Sequence, residues 1–140
     1  MEMSDLQVMA IDDDDVEIMV IKRAFRKNHI SSEIVVARDG IEALKILRGE
    51  APCSLTKPYL ILLDLNLPRM NGIEFLRDLR ADPVHGGAVV FVLTTSASQT
   101  DRDAAYRHGV AGYVVKSKVG NDLAPLIQLL QSYAKVIEWP

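Results

Sequence analysis

The sequence holds a single cysteine, Cys53, so no intrachain disulfide can form. A reducing compartment suits such a chain, and a cytoplasmic location is the expectation. No histidine or basic cluster flanks Cys53, which marks it as a loop residue rather than a reactive thiol. No apolar run is long enough to span a bilayer. The start, Met1-Glu2-Met3-Ser4-Asp5, is acidic and lacks a signal-peptide pattern. Positive charge is not in excess: 16 Lys and Arg stand against 19 Asp and Glu, for a net charge of -3. Such a balance offers no broad basic surface, so neither nucleic acid nor an anionic membrane is expected as a partner. Repeats, low-complexity tracts and linkers are absent too. Residues 1–140 therefore read as one domain with no output domain.

What the chain does have is alternation. Strand-like apolar runs at Leu6–Ile11, Ile34–Ala37, Tyr59–Leu63, Val89–Leu93 and Gly112–Val115 are separated by helical patterns. That alternation is the mark of βαβ units around a parallel sheet. Three of the runs are nearly continuous in apolar residues, as strands covered by helices on both faces require. An α/β fold of five strands and five helices accounts for the whole length.

Caps and periodicity place the helices. Val16, Met19, Val20 and Ala24 are spaced for one helical face. Asp39 with Glu42 reads as a capping pair, and so does Ser98 with Asp101. Gly72 to Leu79 forms the third helix, and Gly109 closes the fourth. Asn121 is the expected cap of the last helix, which should run to about Ile137. Residues 49–58 and 82–87 are expected as surface loops.

The chemistry gathers where strands end. Asp64 follows Tyr59-Leu60-Ile61-Leu62-Leu63 and so lies at the carboxyl end of a buried strand. In open parallel sheets, ligands bind along that edge. The first run ends in Asp12-Asp13-Asp14-Asp15, the fourth in Thr94-Thr95, and the fifth in Lys116. Asp14 and Asp15 are explained as a helix start, where carboxylates meet the positive end of the dipole. Asp12 and Asp13 are not, because they follow directly on a strand facing Asp64. Like charges held in one cleft cost stability unless a cation joins them. Mg²⁺ suits such a site, taking one or two carboxylates beside phosphate oxygens. Asp64 could then be a nucleophile that forms an aspartyl-phosphate. Phosphoryl transfer asks mainly for positioning and charge neutralisation, which Mg²⁺ and Lys116 would supply. The Thr94 hydroxyl could donate to the phosphoryl oxygens. Tyr113 reads equally as a core or an edge aromatic.

Together these segments resemble the receiver domain of two-component response regulators. The resemblance spans essentially the whole chain. It is carried by Ile11-Asp12-Asp13-Asp14, by Asp64-Leu65-Asn66-Leu67-Pro68-Arg69-Met70-Asn71-Gly72, by Leu93-Thr94-Thr95-Ser96 and by Gly112-Tyr113-Val114-Val115-Lys116. It implies a doubly wound, flavodoxin-like sheet of order 2-1-3-4-5. It implies a signalling protein, not an enzyme, that receives a phosphoryl group from a histidine kinase and promotes its own phosphorylation and dephosphorylation. Asp64 would be the phosphoacceptor. Asp13 would be the main metal carboxylate, Asp12 would act largely through water, and the Asn66 carbonyl would complete the Mg²⁺ site. Lys116 would pair with the phosphate. Thr94 would be the switch hydroxyl, Tyr113 the aromatic that moves with it, and Asn66 and Ser96 would tune dephosphorylation. Two positions depart from the pattern. Ser117 stands where a proline usually follows the lysine, which leaves the backbone there open. Ala88 stands where a proline often opens strand four. The long stretch before strand three, the Leu-Thr-Thr-Ser motif and the extended last helix look most like the small stand-alone receivers that partner phytochrome-type histidine kinases.

Two rivals share parts of this pattern. A Mg²⁺-dependent phosphatase or phosphotransferase of haloacid dehalogenase type also uses a strand-end Asp, but it wants a second Asp where this chain has Asn66. A flavodoxin-like FMN module would set four aspartates against its phosphate and is set aside. The last helix carries a further expectation. Leu123, Ile127, Leu130, Ala134 and Ile137 form one stripe that should face the sheet. Leu126, Leu129, Tyr133 and Val136 form a second stripe. One domain cannot easily cover both stripes, so a symmetric homodimer through this helix and its neighbour around Tyr113 is expected.

Overall fold

In the computed structural model, which describes residues 1–140, strands and helices alternate from end to end. The order is β1 (Gln7–Ile11), α1 (Asp15–Lys27), β2 (Ile34–Ala37), α2 (Gly40–Leu47), β3 (Tyr59–Leu63), α3 (Gly72–Ala81), β4 (Val89–Thr94), α4 (Gln99–Arg107), β5 (Gly112–Val115) and α5 (Ala124–Val136). Short 3-10 turns at Met3–Asp5 and Lys116–Lys118 precede β1 and follow β5. The five strands form one sheet of order β2-β1-β3-β4-β5, with every pairing parallel. That is the doubly wound order the sequence implied.

Burial explains the apolar runs. β3 is central and buried at all its residues. Its side chains alternate between two cores. Leu60 and Leu62 join Ile18, Ile21 and Phe25 of α1 and Leu126, Ile127 and Leu130 of α5. Ile61 and Leu63 join Leu44 and Leu47 of α2 and Phe75, Leu76 and Leu79 of α3. With a core on each face, no polar face remains on the strand, so its sequence does not alternate.

Capping follows the sequence in two helices, α2 and α4. Asp39 Oδ1 accepts from Glu42 N at 2.9 Å, Ser98 Oγ from Asp101 N at 3.3 Å, and Gly109 takes a left-handed φ of 72° after α4. α5 differs. Its N-cap position is held by Leu123, at φ 58°, and the Asp122 carboxylate rather than Asn121 accepts from Ala124 N at 3.1 Å. Pro125 then occupies the first turn, where its missing N–H costs nothing. The helix ends at Val136, and Ile137 lies just beyond it.

Two expected faces are corrected. On α1 the buried residues are Ile18, Ile21, Ala24 and Phe25, while Val16 is 65% and Met19 58% exposed and Val20 is half-buried. Both sets have helical spacing. The set containing the larger Phe25 and two isoleucines occupies the core. On α5 the first stripe is buried through Ala134, as expected. Half of the second stripe is covered. Leu126 is buried, and Tyr133 packs edge-on to Phe91 and Trp139 with ring centroids at 5.0 and 5.9 Å. Trp139 turns back and donates from Nε1 to Ala134 O at 3.2 Å, which brings its ring over Tyr133. Only Leu129 and Val136 of that stripe remain exposed. No helix is long and apolar enough to cross a membrane.

Candidate functional site

The sheet ladder sets the acids side by side. Ile11 pairs with Leu63, and the ladder runs one residue further: Asp64 N donates to Ile11 O at 2.9 Å and Asp12 N to Ala37 O at 3.0 Å. Asp12 and Asp64 are therefore neighbours at the edge, 4% and 9% exposed. Asp13 is exposed beside them. One carboxylate oxygen from each of Asp12, Asp13 and Asp64 falls within 4.8 Å of the others. Gly72 makes room for this edge. A Cβ there would lie 2.6 Å from Asp64 O and 2.7 Å from Leu65 Cα, so α3 can start this close to β3 only with glycine.

Lys116 reaches into the cluster from the end of β5. Its Nζ lies 3.2 Å from Asp12 Oδ2, 3.6 Å from Glu17 Oε2 and 3.8 Å from Asp64 Oδ2. Burial alone would lower the Lys116 pKa, but the carboxylates of Asp12, Asp64 and Glu17 outweigh it and hold the ammonium charged. Burial raises the Asp12 carboxyl above its ordinary range, and the charge of Asp64 adds to that, while the Asp14 N–H and Lys116 oppose it. Asp12 Oδ1 accepts from Asp14 N at 2.9 Å. The remaining two acids are structural, as expected: Asp14 caps α1 through Val16 N, and Asp15 pairs with Arg38.

The loop after β3 is pinned from outside the cluster. Asn66 N donates to Asp64 Oδ1 at 3.3 Å, and the Asn66 side chain is exposed. Three residues on, Arg69 takes a left-handed φ of 58° and donates from Nε to Asp39 Oδ2 at 2.7 Å. Gly40 N donates to Met70 O at 3.0 Å. The N-terminus of α2 thus anchors the loop that carries Asn66. Asp39 is buried, yet the Arg69 hydrogen bond and the N–H groups of Glu42 and Ile41 hold its carboxyl below the usual range.

Beyond β4 a second set of contacts surrounds Ser96. Thr94 is fully buried, and its Oγ1 accepts from Ser96 N at 3.3 Å. Tyr113 OH donates to Ser96 O at 2.9 Å, while its half-buried ring packs on the α3 side of the sheet. Tyr113 is thus both readings at once, a packed ring with a polar tip at the edge. Ser96 Oγ donates to Asp101 Oδ2 at 2.6 Å. The Lys116–Ser117 bond is trans and opens a 3-10 turn, which closes the question that the missing proline left. Ala88 sits buried ahead of β4.

The structure brings together Asp12, Asp13, Asp64 and Lys116, with Thr94, Asn66, Ser96 and Tyr113 around them. Sequence reasoning missed Glu17, in the first turn of α1, and the Arg69–Asp39 pair. It took Asp101 only as a capping partner. The donor set is all oxygen, crowded and partly buried, and its only internal cation is Lys116. Hard oxygen ligands of this kind fit a divalent cation of the Mg²⁺ or Mn²⁺ type.

Comparison with known proteins agrees with that chemistry. The response regulator receiver domain family matches residues 8–128. Response regulator Rcp1 of Synechocystis sp. is 31% identical over 127 residues, covering 90% of this chain and 86% of that protein. Its Mn²⁺-bound crystal structure superposes with a TM-score of 0.82 at 30% identity, over 96% of this chain and 99% of that one. The phosphorylated cyanobacterial phytochrome response regulator RcpA superposes with a TM-score of 0.80 at 30% identity, over 96% of this chain and 98% of that one.

Proposed function

This chain belongs to the response regulator receiver domain family, and on that footing we propose that Asp64 is its phosphoacceptor, with a phosphohistidine of a kinase as donor. One observation carries the assignment to Asp64. It ends β3, the strand between β1 and β4, so of the three acids it alone has the carboxylates of Asp12 and Asp13 on one side and the end of the Thr94 strand on the other, with Lys116 Nζ at 3.8 Å.

In the transfer, an Asp64 carboxylate oxygen forms the new bond to phosphorus. The bond from phosphorus to the donor imidazole nitrogen breaks, and that nitrogen keeps the electron pair. Lys116 stays protonated throughout and neutralises the incoming charge. Thr94 Oγ1 accepts from Ser96 N, so its own proton is free to be donated to a phosphoryl oxygen. Mg²⁺ is the proposed metal. Asp12, Asp13, Asp64 and the Asn66 carbonyl would hold it, and when bound it neutralises phosphoryl oxygens and the crowded carboxylates. In the separate hydrolytic step a water attacks phosphorus and Asp64 leaves as a carboxylate, so the same residues promote dephosphorylation. The Tyr113 hydroxyl is bound to Ser96 O, so a shift of Thr94 toward phosphate would be felt at Tyr113.

Partners follow from the surface around the site. A kinase must dock where its histidine can reach Asp64. The first turns of α1 rim that opening, since Glu17 contacts Lys116, and they present Val16 and Met19 to solvent. Likeness to RcpA and Rcp1 supports a phytochrome-type kinase, and the cytoplasm as the place where it is met. A homodimer through α5 is retained on a narrower basis, Leu129 and Val136, which lie seven residues apart on one helical face.

Incubation with acetyl phosphate and Mg²⁺ tests the function. A receiver gives one phosphate adduct that decays on its own clock. Steady turnover of the donor without adduct would favour the dehalogenase-type phosphatase, a reading that Asn66 already weakens by supplying no acid.

A further inference from the structure

Ser96 is restrained at three of its atoms. Its N–H donates to Thr94 Oγ1, its carbonyl accepts from Tyr113 OH, and its hydroxyl donates to Asp101 Oδ2 at 2.6 Å. The last bond fixes more than position. An aspartate carboxylate can only accept, so the Ser96 proton is committed to it. Ser96 Oγ is left as an acceptor with two lone pairs. One receives the N–H of Ser98 at 3.3 Å. The other is free.

Asp101 stands at the third position of α4 and is half-buried, with its own N–H bonded to Ser98 Oγ. It also lines an open groove of about 420 Å³ together with Leu65, Asn66, Leu67 and Ile73. β3 and β4 are adjacent strands. Ser96 lies two residues past Thr94, and Asn66 lies two past Asp64. The groove is wide enough for water, and it is walled by Asn66, whose N–H donates to Asp64 Oδ1 at 3.3 Å, and by Asp101, which holds the Ser96 hydroxyl at 2.6 Å.

We propose that Asp101 is a positioning residue for the hydrolytic water: by taking the Ser96 proton it leaves Ser96 Oγ to accept from that water and turn the water's lone pair toward phosphorus. This rests on Asp64 being the phosphoacceptor. In the step, the water oxygen bonds to phosphorus and the bond between phosphorus and the Asp64 oxygen breaks. Asp64 leaves with the electron pair as a carboxylate. Both water protons stay with the phosphate, which then equilibrates with solvent. Ser96 and Asp101 gain and lose nothing. Labelling of Asp64 needs no water, so it does not use this contact.

Adduct decay after removal of acetyl phosphate, in Mg²⁺ and followed by intact mass, is the test. Asp101→Ala should slow decay about fivefold, the size of one hydrogen bond, and leave the labelling rate unchanged. Asp101→Asn keeps an acceptor oxygen and should decay like the parent. In a Ser96→Ala background, Asp101→Ala should add nothing further. A parent that takes no label overturns the phosphoacceptor reading and this inference with it. A labelled Asp101→Ala protein that decays at the parent rate overturns this inference alone. Equal slowing by Asp101→Asn and Asp101→Ala, or undiminished slowing without the Ser96 hydroxyl, does the same, because the effect would then come from charge or from α4 itself.

Discussion

Lys116 Nζ lies closer to Asp12 Oδ2, at 3.2 Å, than to Asp64 Oδ2, at 3.8 Å. Without metal, the ammonium is thus the cation of the whole acidic cluster. Both side chains are nearly buried, 13% and 5% exposed, so the pair is poorly screened by solvent.

Removing either charge should therefore show in metal-dependent stability. Lys116→Met leaves buried carboxylates unpaired and should cost about 3 kcal/mol in the metal-free protein. Mg²⁺ should restore much of that loss. In the parent, Mg²⁺ at a hundred times its dissociation constant should add about 2.7 kcal/mol. Asp13→Ala should gain far less. Urea unfolding with and without Mg²⁺ measures all three. An Asp13→Ala protein that gains as much as the parent would place the metal elsewhere.

Acid stability should depend on Asp39. Its carboxyl is held below the usual range, with burial opposing and the Arg69 hydrogen bond and backbone N–H groups prevailing. A lowered carboxyl stabilises the folded state above the unfolded pKa of about 3.9 and loses that contribution as pH falls through the folded value. Asp39→Asn keeps the helix cap and removes the ion pair. It should cost about 1–2 kcal/mol at pH 7 and flatten the loss of stability below about pH 4. Identical acid unfolding of parent and variant would show that the pair does not stabilise the fold.

The sheet can be read from sequence because three of the strand runs are nearly continuous in apolar residues and each run is followed by a polar residue. Four strand-end groups, Asp12, Asp64, Thr94 and Lys116, were placed by that rule alone. Faces of helices were harder. α1 carries two apolar sets at helical spacing, and nothing in the order of residues says which one meets the sheet. The cover over Tyr133 comes from Trp139, six positions on, after a chain reversal that no periodicity announces. The contacts of Glu17 and Asp101 were hidden for a related reason. Both acids sit in first turns of helices, where dipole and capping already explain an acid.

The exposed face of α1 should matter to a protein donor and not to a small one. Met19→Glu puts a charge on the rim of the site without touching its carboxylates. Phosphotransfer from the histidine kinase that labels the parent fastest should fall at least tenfold, equal to about 1.4 kcal/mol. Labelling by acetyl phosphate should be unaffected. Equal loss with both donors would mean that the site itself is disturbed.

Association through α5 has a direct test. The parent at micromolar concentration should sediment as a dimer, with phosphorylation shifting the equilibrium. A Leu129→Glu, Val136→Glu variant should sediment as a monomer. A monomeric parent, with and without phosphodonor, would remove α5 as an interface between copies of this chain.

The central assignment rests on Asp64, and the intact mass of parent and Asp64→Asn after acetyl phosphate and Mg²⁺ tests it most directly. Asparagine keeps the shape of the side chain and removes the nucleophilic oxygen. The parent should carry one phosphoryl group and the variant none. A variant labelled as fully as the parent would contradict the account, because the phosphoryl group would then sit on another residue.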